Sequence, residues 1–182
     1  MLNTLAVGTL KLSPQPEIYL NGLIRRSCKI ILSENKSVEE KLLYIDLPNA
    51  LSMTLRADDC NAYLMMILLV AMSKNYDIHI GGSVDSILLT NLTEYMRAWS
   101  LWMPSTYGVV KIIPDEINTS QFSPHAVATA FSGGLDASFT VWDYIHSQHS
   151  PALKFGVMVH GFDIPLFNTK GFLGAFNNAK IH

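Results

Sequence analysis

Seven consecutive residues, Ser132-Gly133-Gly134-Leu135-Asp136-Ala137-Ser138, combine the residue types that an anion-binding turn requires. Gly133 and Gly134 can take backbone angles closed to other residues, and without Cβ atoms they let a phosphate approach the main chain closely. Successive N–H groups in such a turn form a concavity for anions, reinforced by the positive end of a following helix. Ser132 and Ser138 add hydroxyl donors on either side. Asp136 is acidic where an anion would sit, so it is expected to order a magnesium ion or to cap the helix. The plainer alternative is an ordinary strand-to-helix turn with Asp136 as its N-cap.

The turn lacks the lysine and the length of GxxxxGK[ST], and it does not spell GxGxxG, so neither of those nucleotide loops is present. Downstream, His160 and Asp163 in Val159-His160-Gly161-Phe162-Asp163-Ile164-Pro165-Leu166 read equally as substrate-side groups or as a polar turn after a strand. Gly81-Gly82-Ser83-Val84-Asp85-Ser86 imitates the glycine turn with one residue too many before the aspartate, and is read as a helix start capped by Asp85 or Ser83. His146 and His149 have no carboxylate or cysteine cluster near them in sequence and are read as a solvated helix end. Glu39-Glu40-Lys41 is read as a solvated face. The two cysteines, Cys28 and Cys60, are far apart in sequence and make neither a CxxC pair nor a disulfide framework, so they are expected to be reduced thiols.

The turn needs a strand before it and a helix after it, and the sequence supplies both. Residues 127–131 are apolar enough for a strand, and residues 136–145 for a helix with Ser138, Val141, Trp142 and Ile145 on one face toward a sheet. Residues 155–159 give the next strand. Strand, helix and strand in this order predict a parallel pair, the opening of an α/β fold. Upstream, short strands are expected at 18–20, 28–32 and 42–47, divided by Asn21-Gly22 and the polar run 33–40. Asp58 and Asp59 stand where N-capping residues would precede an apolar helix starting at Ala62. A strand at 76–80 is expected to end at Gly81-Gly82. A helix then carries Leu88, Leu92, Tyr95, Met96, Trp99 and Trp102 on one face, is stopped by Pro104, and leads to a strand at 109–113. The Met and Trp residues of both helical segments are expected in the core.

Nearly half of the 182 residues are hydrophobic (49%) and 15% are charged, a composition of folded, core-forming chains rather than disordered ones. The net charge of −2 supplies no electrostatic footprint for nucleic acid. No signal-peptide pattern opens the chain, and the apolar run 62–72 is far shorter than the roughly 20 residues of a spanning helix. A cytoplasmic protein with no membrane partner is therefore expected. The polar, proline-containing stretch 114–125 places a boundary: an N-terminal α+β region at 1–117, a linker at 118–125, and an α/β region at 126–182. Only 44 residues follow Ser138 (182 − 138), and residues 171–182 read as a helix just begun. The second region is thus expected to be incomplete, with the chain an N-terminal fragment of a longer protein.

The loop resembles the PP-loop, SGGxDS, of the N-type ATP pyrophosphatases, which include asparagine synthetases, GMP synthetases, tRNA thiolation enzymes and 7-cyano-7-deazaguanine synthases. The segment 159–166 is similar to that of a branch related to the 7-cyano-7-deazaguanine and asparagine synthases. The resemblance implies ATP and Mg2+ as cofactors, with Ser132, Gly133, Gly134, Leu135, Asp136, Ala137 and Ser138 around the β and γ phosphates. It implies Asp136 as the magnesium-positioning, catalytic residue, and the backbone at Met158, Val159 and His160 against adenine. The implied activity is adenylation of a carboxylate or carbonyl oxygen with release of pyrophosphate, followed by attack of ammonia or another nucleophile. Ala137 departs from the pattern, which has serine there, and Met1-Leu2-Asn3 lacks the amino-terminal cysteine of a glutaminase half. The alternative is a nucleotide-binding or scaffold module without turnover. A structural α/β domain with no nucleotide is the third reading.

Overall fold

A computed structural model describes residues 8–34, 37–50, 56–119, 126–147 and 149–180. The protein is an α/β protein that divides into two compact units, Met1–Ser120 and Gln121–His182. Residues 1–7, 120–125 of the expected linker, and 181–182 of the expected last helix lie outside the described residues.

The first unit is a mixed five-stranded sheet in the order β3-β2-β1-β4-β5. Strands β1 (Gly8–Leu20), β2 (Leu23–Glu34) and β3 (Ser37–Pro48) form antiparallel pairs, whereas β4 (Tyr76–Asp85) lies parallel to β1, and β5 (Ile112–Asn118) parallel to β4. The first three strands are longer than expected. Much of the polar run 33–40 belongs to β2 and β3, where its described residues are exposed or half-buried and polar side chains stay in contact with water. Asn21-Gly22 does turn the chain, with Leu20 opposite Leu23 and Gly22 at φ 77°.

Helices α1 (Asn61–Lys74) and α2 (Ser86–Trp102) pack on one face of this sheet, where Leu10, Leu12, Cys28, Ile30, Ile78 and Ile80 form one core with Leu64, Leu68, Met72, Leu92 and Met96. Thr9, Lys11 and His79 alternate onto the opposite, exposed face. The expectation that all the Met and Trp residues are core is corrected: Met65, Met66 and Trp102 are exposed, because helices on a single sheet bury only one side. Leu64 is wholly buried. Leu64→Ala is expected to cost about 2–5 kcal/mol, read from the urea midpoint at unchanged m-value.

Three further expectations change. Gly81-Gly82 does not end β4, which continues to Asp85; the pair lies at a register shift where residues 58–60 pack against the strand. The strand expected at 109–113 begins at Ile112 and runs through Pro114, which is tolerated because β5 is an edge. The nominal N-cap of α1 is Cys60, yet Asp59 still serves the helix start, its carboxylate accepting from the Asn61 N–H at 2.9 Å. Likewise Asp85 precedes α2 by position, but its carboxylate accepts from the Asn61 and Asn118 side-chain amides at 2.9 Å each, tying α1 to β5.

Charged groups near these strand ends are paired. The Arg56 guanidinium forks between Asp58 (3.0 Å) and Glu116 (2.9 and 3.0 Å). That of Arg25 chelates Asp46 at 2.7 Å and stands 4.0 Å above the Tyr44 ring. Glu39-Glu40-Lys41 lies exposed on β3, with Lys41 paired to Glu39 and Glu40 to Lys29. Arg56 holds the Asp58 carboxyl below the usual range, and Arg25 does the same to Asp46. A depressed folded value means stability that is fully present above the ordinary aspartate value of about 3.9 and lost as pH falls through the folded value. The thermal midpoint of Asp58→Asn should therefore converge on that of the wild type as the pH is taken below about 4, when compared by calorimetry.

Among the described residues, no helix is long and apolar enough to cross a membrane.

Candidate functional site

The second unit contains the glycine turn. Parallel strands β6 (Val127–Ala130) and β7 (Leu153–Val157) flank helix α3 (Leu135–His146) in sequence, and α4 (Thr169–Ala179) follows. The main boundary changes are small: β7 stops at Val157 rather than 159, and α4 begins at Thr169 rather than 171. The inward face of α3 is rotated from the expected one. Ala137, Thr140, Val141 and Tyr144 are half-buried, whereas Trp142 and Ile145 are 53% and 69% exposed. A pair of strands offers too little surface to cover every apolar residue of the helix.

Within the turn, Gly133 adopts φ 79°, a conformation that L side chains rarely take. A Cβ built there would find nothing within 4 Å, and one at Gly134 would meet only Ser132 Oγ, at 3.5 Å. Space therefore lies directly over the main chain. Gly134, with extended backbone (φ −76°, ψ 170°), is the N-cap of α3 and supplies no side-chain cap. The N–H groups of the first helical turn, at Leu135, Asp136 and Ala137, have no intrahelical acceptor and point toward the turn. Asp136 is in that first turn and is not the N-cap, correcting the plainer alternative for it. Its charge there complements the helix dipole.

Beside the turn, a cavity of about 240 Å3 opens at the carboxyl ends of β6 and β7, lined by Ala130, Phe131, Ser132, Val157, Met158, Val159, Phe162 and Asp163. It brings the Ser132 end of the glycine turn together with Met158, Val159 and Asp163. Beyond Val157, whose carbonyl accepts from the Phe131 N–H at 2.8 Å, the chain at Met158 and Val159 leaves the two-strand ladder. Gly161 then turns it at φ 106°, with its N–H donating to the Ile164 carbonyl at 2.9 Å. This holds Phe162 at the cavity, 81% exposed.

Some expected residues are not brought together. The His160 ring stacks on Phe172 at 4.5 Å, with Nε2 3.0 Å from the Pro165 carbonyl, so its side chain is engaged with the α4 side and does not line the cavity. Of the glycine turn only Ser132 lines the cavity; Gly133, Gly134, Leu135, Asp136, Ala137 and the exposed Ser138 do not. Ala130, Phe131, Val157 and Phe162 are the lining residues that sequence reasoning missed. Phe162 stood inside the quoted segment, but only its polar neighbours were read for chemistry.

No family model, curated protein or solved structure matches the chain. Small-molecule pockets usually occupy about 300–1,000 Å3, so a cavity near 240 Å3 suits a base rather than a whole nucleotide. Any phosphates would lie along the open glycine turn instead.

His146 at the end of α3 and His149 just beyond it offer no competing centre. Asp143 accepts from Ser147 Oγ at 2.8 Å and contacts His149 Nε2 at 2.7 Å, while His146 Nδ1 meets the Trp142 carbonyl at 2.7 Å. Ser147 and His149 thus share one carboxylate and form no relay, and both bonds lower the Asp143 carboxyl. Among the described residues no three of His, Cys, Asp and Glu gather as a metal cage.

Proposed function

We propose that the second unit binds ATP, with the base in the cavity at the ends of β6 and β7 and the phosphates over Gly133 and Gly134. We further propose that the protein is a PP-loop ATP pyrophosphatase-type synthase or ligase. The observation that carries this reading is the union of Ser132 of the glycine turn with Met158, Val159 and Asp163 in one cavity. Ligands of parallel sheets bind outside the carboxyl ends of their strands, which is where this cavity lies.

Each residue then has a physical task. Main-chain N–H groups from Gly133 to Ala137 and the Ser132 hydroxyl stabilise phosphate charge at the positive end of α3. The main chain at Met158 and Val159 meets the edge of the base, and the Phe162 ring lies against its face. Asp136 in the first turn of α3 and Asp163 at the cavity are each hard oxygen donors, and magnesium characteristically takes only one or two carboxylates beside substrate phosphates, so either carboxylate suits the ion. Magnesium would neutralise charge on the phosphate oxygens. An acceptor carboxylate or carbonyl oxygen would attack the α phosphate as pyrophosphate leaves, and the site would contribute orientation and electrostatic stabilisation. Ammonia or another nucleophile would then displace AMP.

Ala137 favours a second reading, nucleotide binding without turnover. Its methyl group is half-buried toward the sheet, and it offers no hydroxyl to a phosphate. Calorimetric titration with Mg-ATP, followed by product analysis, tests both readings. AMP and pyrophosphate formed in the presence of an acceptor support the ligase; tight binding without cleavage supports the module. ADP and inorganic phosphate as products would contradict the first reading, and absence of binding would contradict both.

A further inference from the structure

A second cavity, of about 370 Å3, opens within the same unit. Its walls come from Phe131 just after β6, Val141 of α3, Met158 just after β7, Phe176 and Ala179 of α4, and Lys180 at the end of that helix. Phe131 and Met158 also line the smaller cavity, so the two share a wall. α4 approaches β6 and β7 less closely than α3 does, which leaves the space open. The five apolar side chains are all only half-buried. Apolar surface therefore remains for a ligand to cover, in a volume typical of small-molecule sites.

Three local features shape the cavity. A Cβ on Gly156 of β7 would stand 3.2 Å from Phe131 Cβ, so glycine lets the Phe131 side chain settle against the strand. Phe176 ends a row of rings, with His160 on Phe172 at 4.5 Å and Phe172 to Phe176 at 6.1 Å, their planes 17° apart. The Lys180 ammonium stands 4.3 Å from the centre of the Phe176 ring, which holds the charge at the aromatic wall. Lys180 is the one charged side chain among the described lining residues.

We propose that this cavity binds an aromatic monocarboxylate, its ring against Phe131, Met158 and Phe176 and its carboxylate on Lys180. Aromatic faces and a thioether favour a flat ring over an aliphatic chain. A single ammonium is a point charge that matches one carboxylate. A phosphate ester calls for more donors, and the main-chain donors of the glycine turn do not line this cavity. Nor does any carboxylate among the described residues line it to hold an amine. The site goes beyond the ATP reading and does not depend on it.

The test titrates naphthalene-2-carboxylate into the 182-residue chain by calorimetry without nucleotide, beside naphthalene-2-carboxamide as the uncharged counterpart. One molecule of either should bind per chain, the acid more tightly by roughly 5-fold, a modest factor because Lys180 is exposed. Lys180→Gln should erase that difference and leave the affinity for the amide as it was. Ala179→Phe, which fills the cavity from α4, should weaken both by at least roughly 10-fold. No binding of either compound at millimolar concentration overturns the proposal. So does equal affinity of the wild type for the two, or a preference for the acid that survives in Lys180→Gln. Undiminished binding in folded Ala179→Phe, displaced by adenosine, would place the ring in the smaller cavity and also overturn it. The lysine is exposed, so its variant decides even if Ala179→Phe fails to fold. Binding of the acid by a chain that does not bind Mg-ATP would leave this site standing and remove the nucleotide reading alone; the reverse result would remove this site alone.

Discussion

Gly134→Val is expected to weaken Mg-ATP binding by roughly 100-fold, about 2.7 kcal/mol, while shifting the thermal midpoint by only a few degrees. The separation follows from the local geometry. Gly134 has an extended backbone that any residue adopts, and its added Cβ would meet only Ser132 Oγ at an ordinary 3.5 Å. The folded chain therefore loses little beyond a modest penalty for a poor N-cap, about 1 kcal/mol. The branched side chain instead fills the space over the N–H groups that would hold phosphate, and hydrogen bonds to charged groups contribute about 1.5–3 kcal/mol each. Gly133→Val is a different experiment. At φ 79° it forces a β-branched residue into the left-handed region, so binding and stability should fall together. Asp136→Ala adds a third reading, because its loss should weaken binding more with magnesium present than with a chelator. Unchanged ATP affinity in Gly134→Val at native stability would sink the phosphate-loop reading.

The glycine turn was legible because its chemistry depends on residue type at fixed spacing, and Gly133 indeed occupies the positive-φ position such a turn requires. The neighbouring strands and helix were legible to within about two residues for the usual reason, since apolar runs ended by turn residues mark elements well and boundaries poorly. The inward face of α3 was not. Trp142 and Ile145 are exposed along with Leu135 and Phe139, and periodicity selects the apolar stripe without knowing how much sheet lies beneath it.

The first unit hid its extent for another reason. Pro14 and Pro16 argue against a strand, yet β1 runs through both, with an irregularity between Gln15 and Ile18 in its pairing to β2. Residues 33–40 look like a loop because the described ones are exposed or half-buried on both faces of the hairpin, so charge there carries no information about pairing.

Gly81-Gly82 shows a similar limit and carries a large expected effect on stability. Gly82→Ala should lose about 3–4 kcal/mol, whereas Gly81→Ala should stay within about 1 kcal/mol of the wild type. At Gly82 a Cβ would stand 2.4 Å from the Asp58 carbonyl oxygen, 2.9 Å from Cys60 Sγ and 3.1 Å from Pro14 Cγ. The nearest atom is backbone, held by the Ser83 N–H to Asp58 carbonyl bond at 3.0 Å and the Cys60 N–H to Ser83 carbonyl bond at 2.9 Å. To admit one methyl group the 58–60 segment must lift, straining or breaking both bonds at the start of α1. Overpacking of this kind costs about 1–3 kcal/mol, and each lost hydrogen bond about 0.5–1.5. At Gly81 the nearest atom to a Cβ is the Leu12 carbonyl at 3.3 Å, which a few tenths of an ångström relieve, and alanine also reduces the freedom of the unfolded chain. Urea unfolding of the two variants side by side decides the matter; equal midpoints would show that the 58–60 segment does not pack on β4 as described.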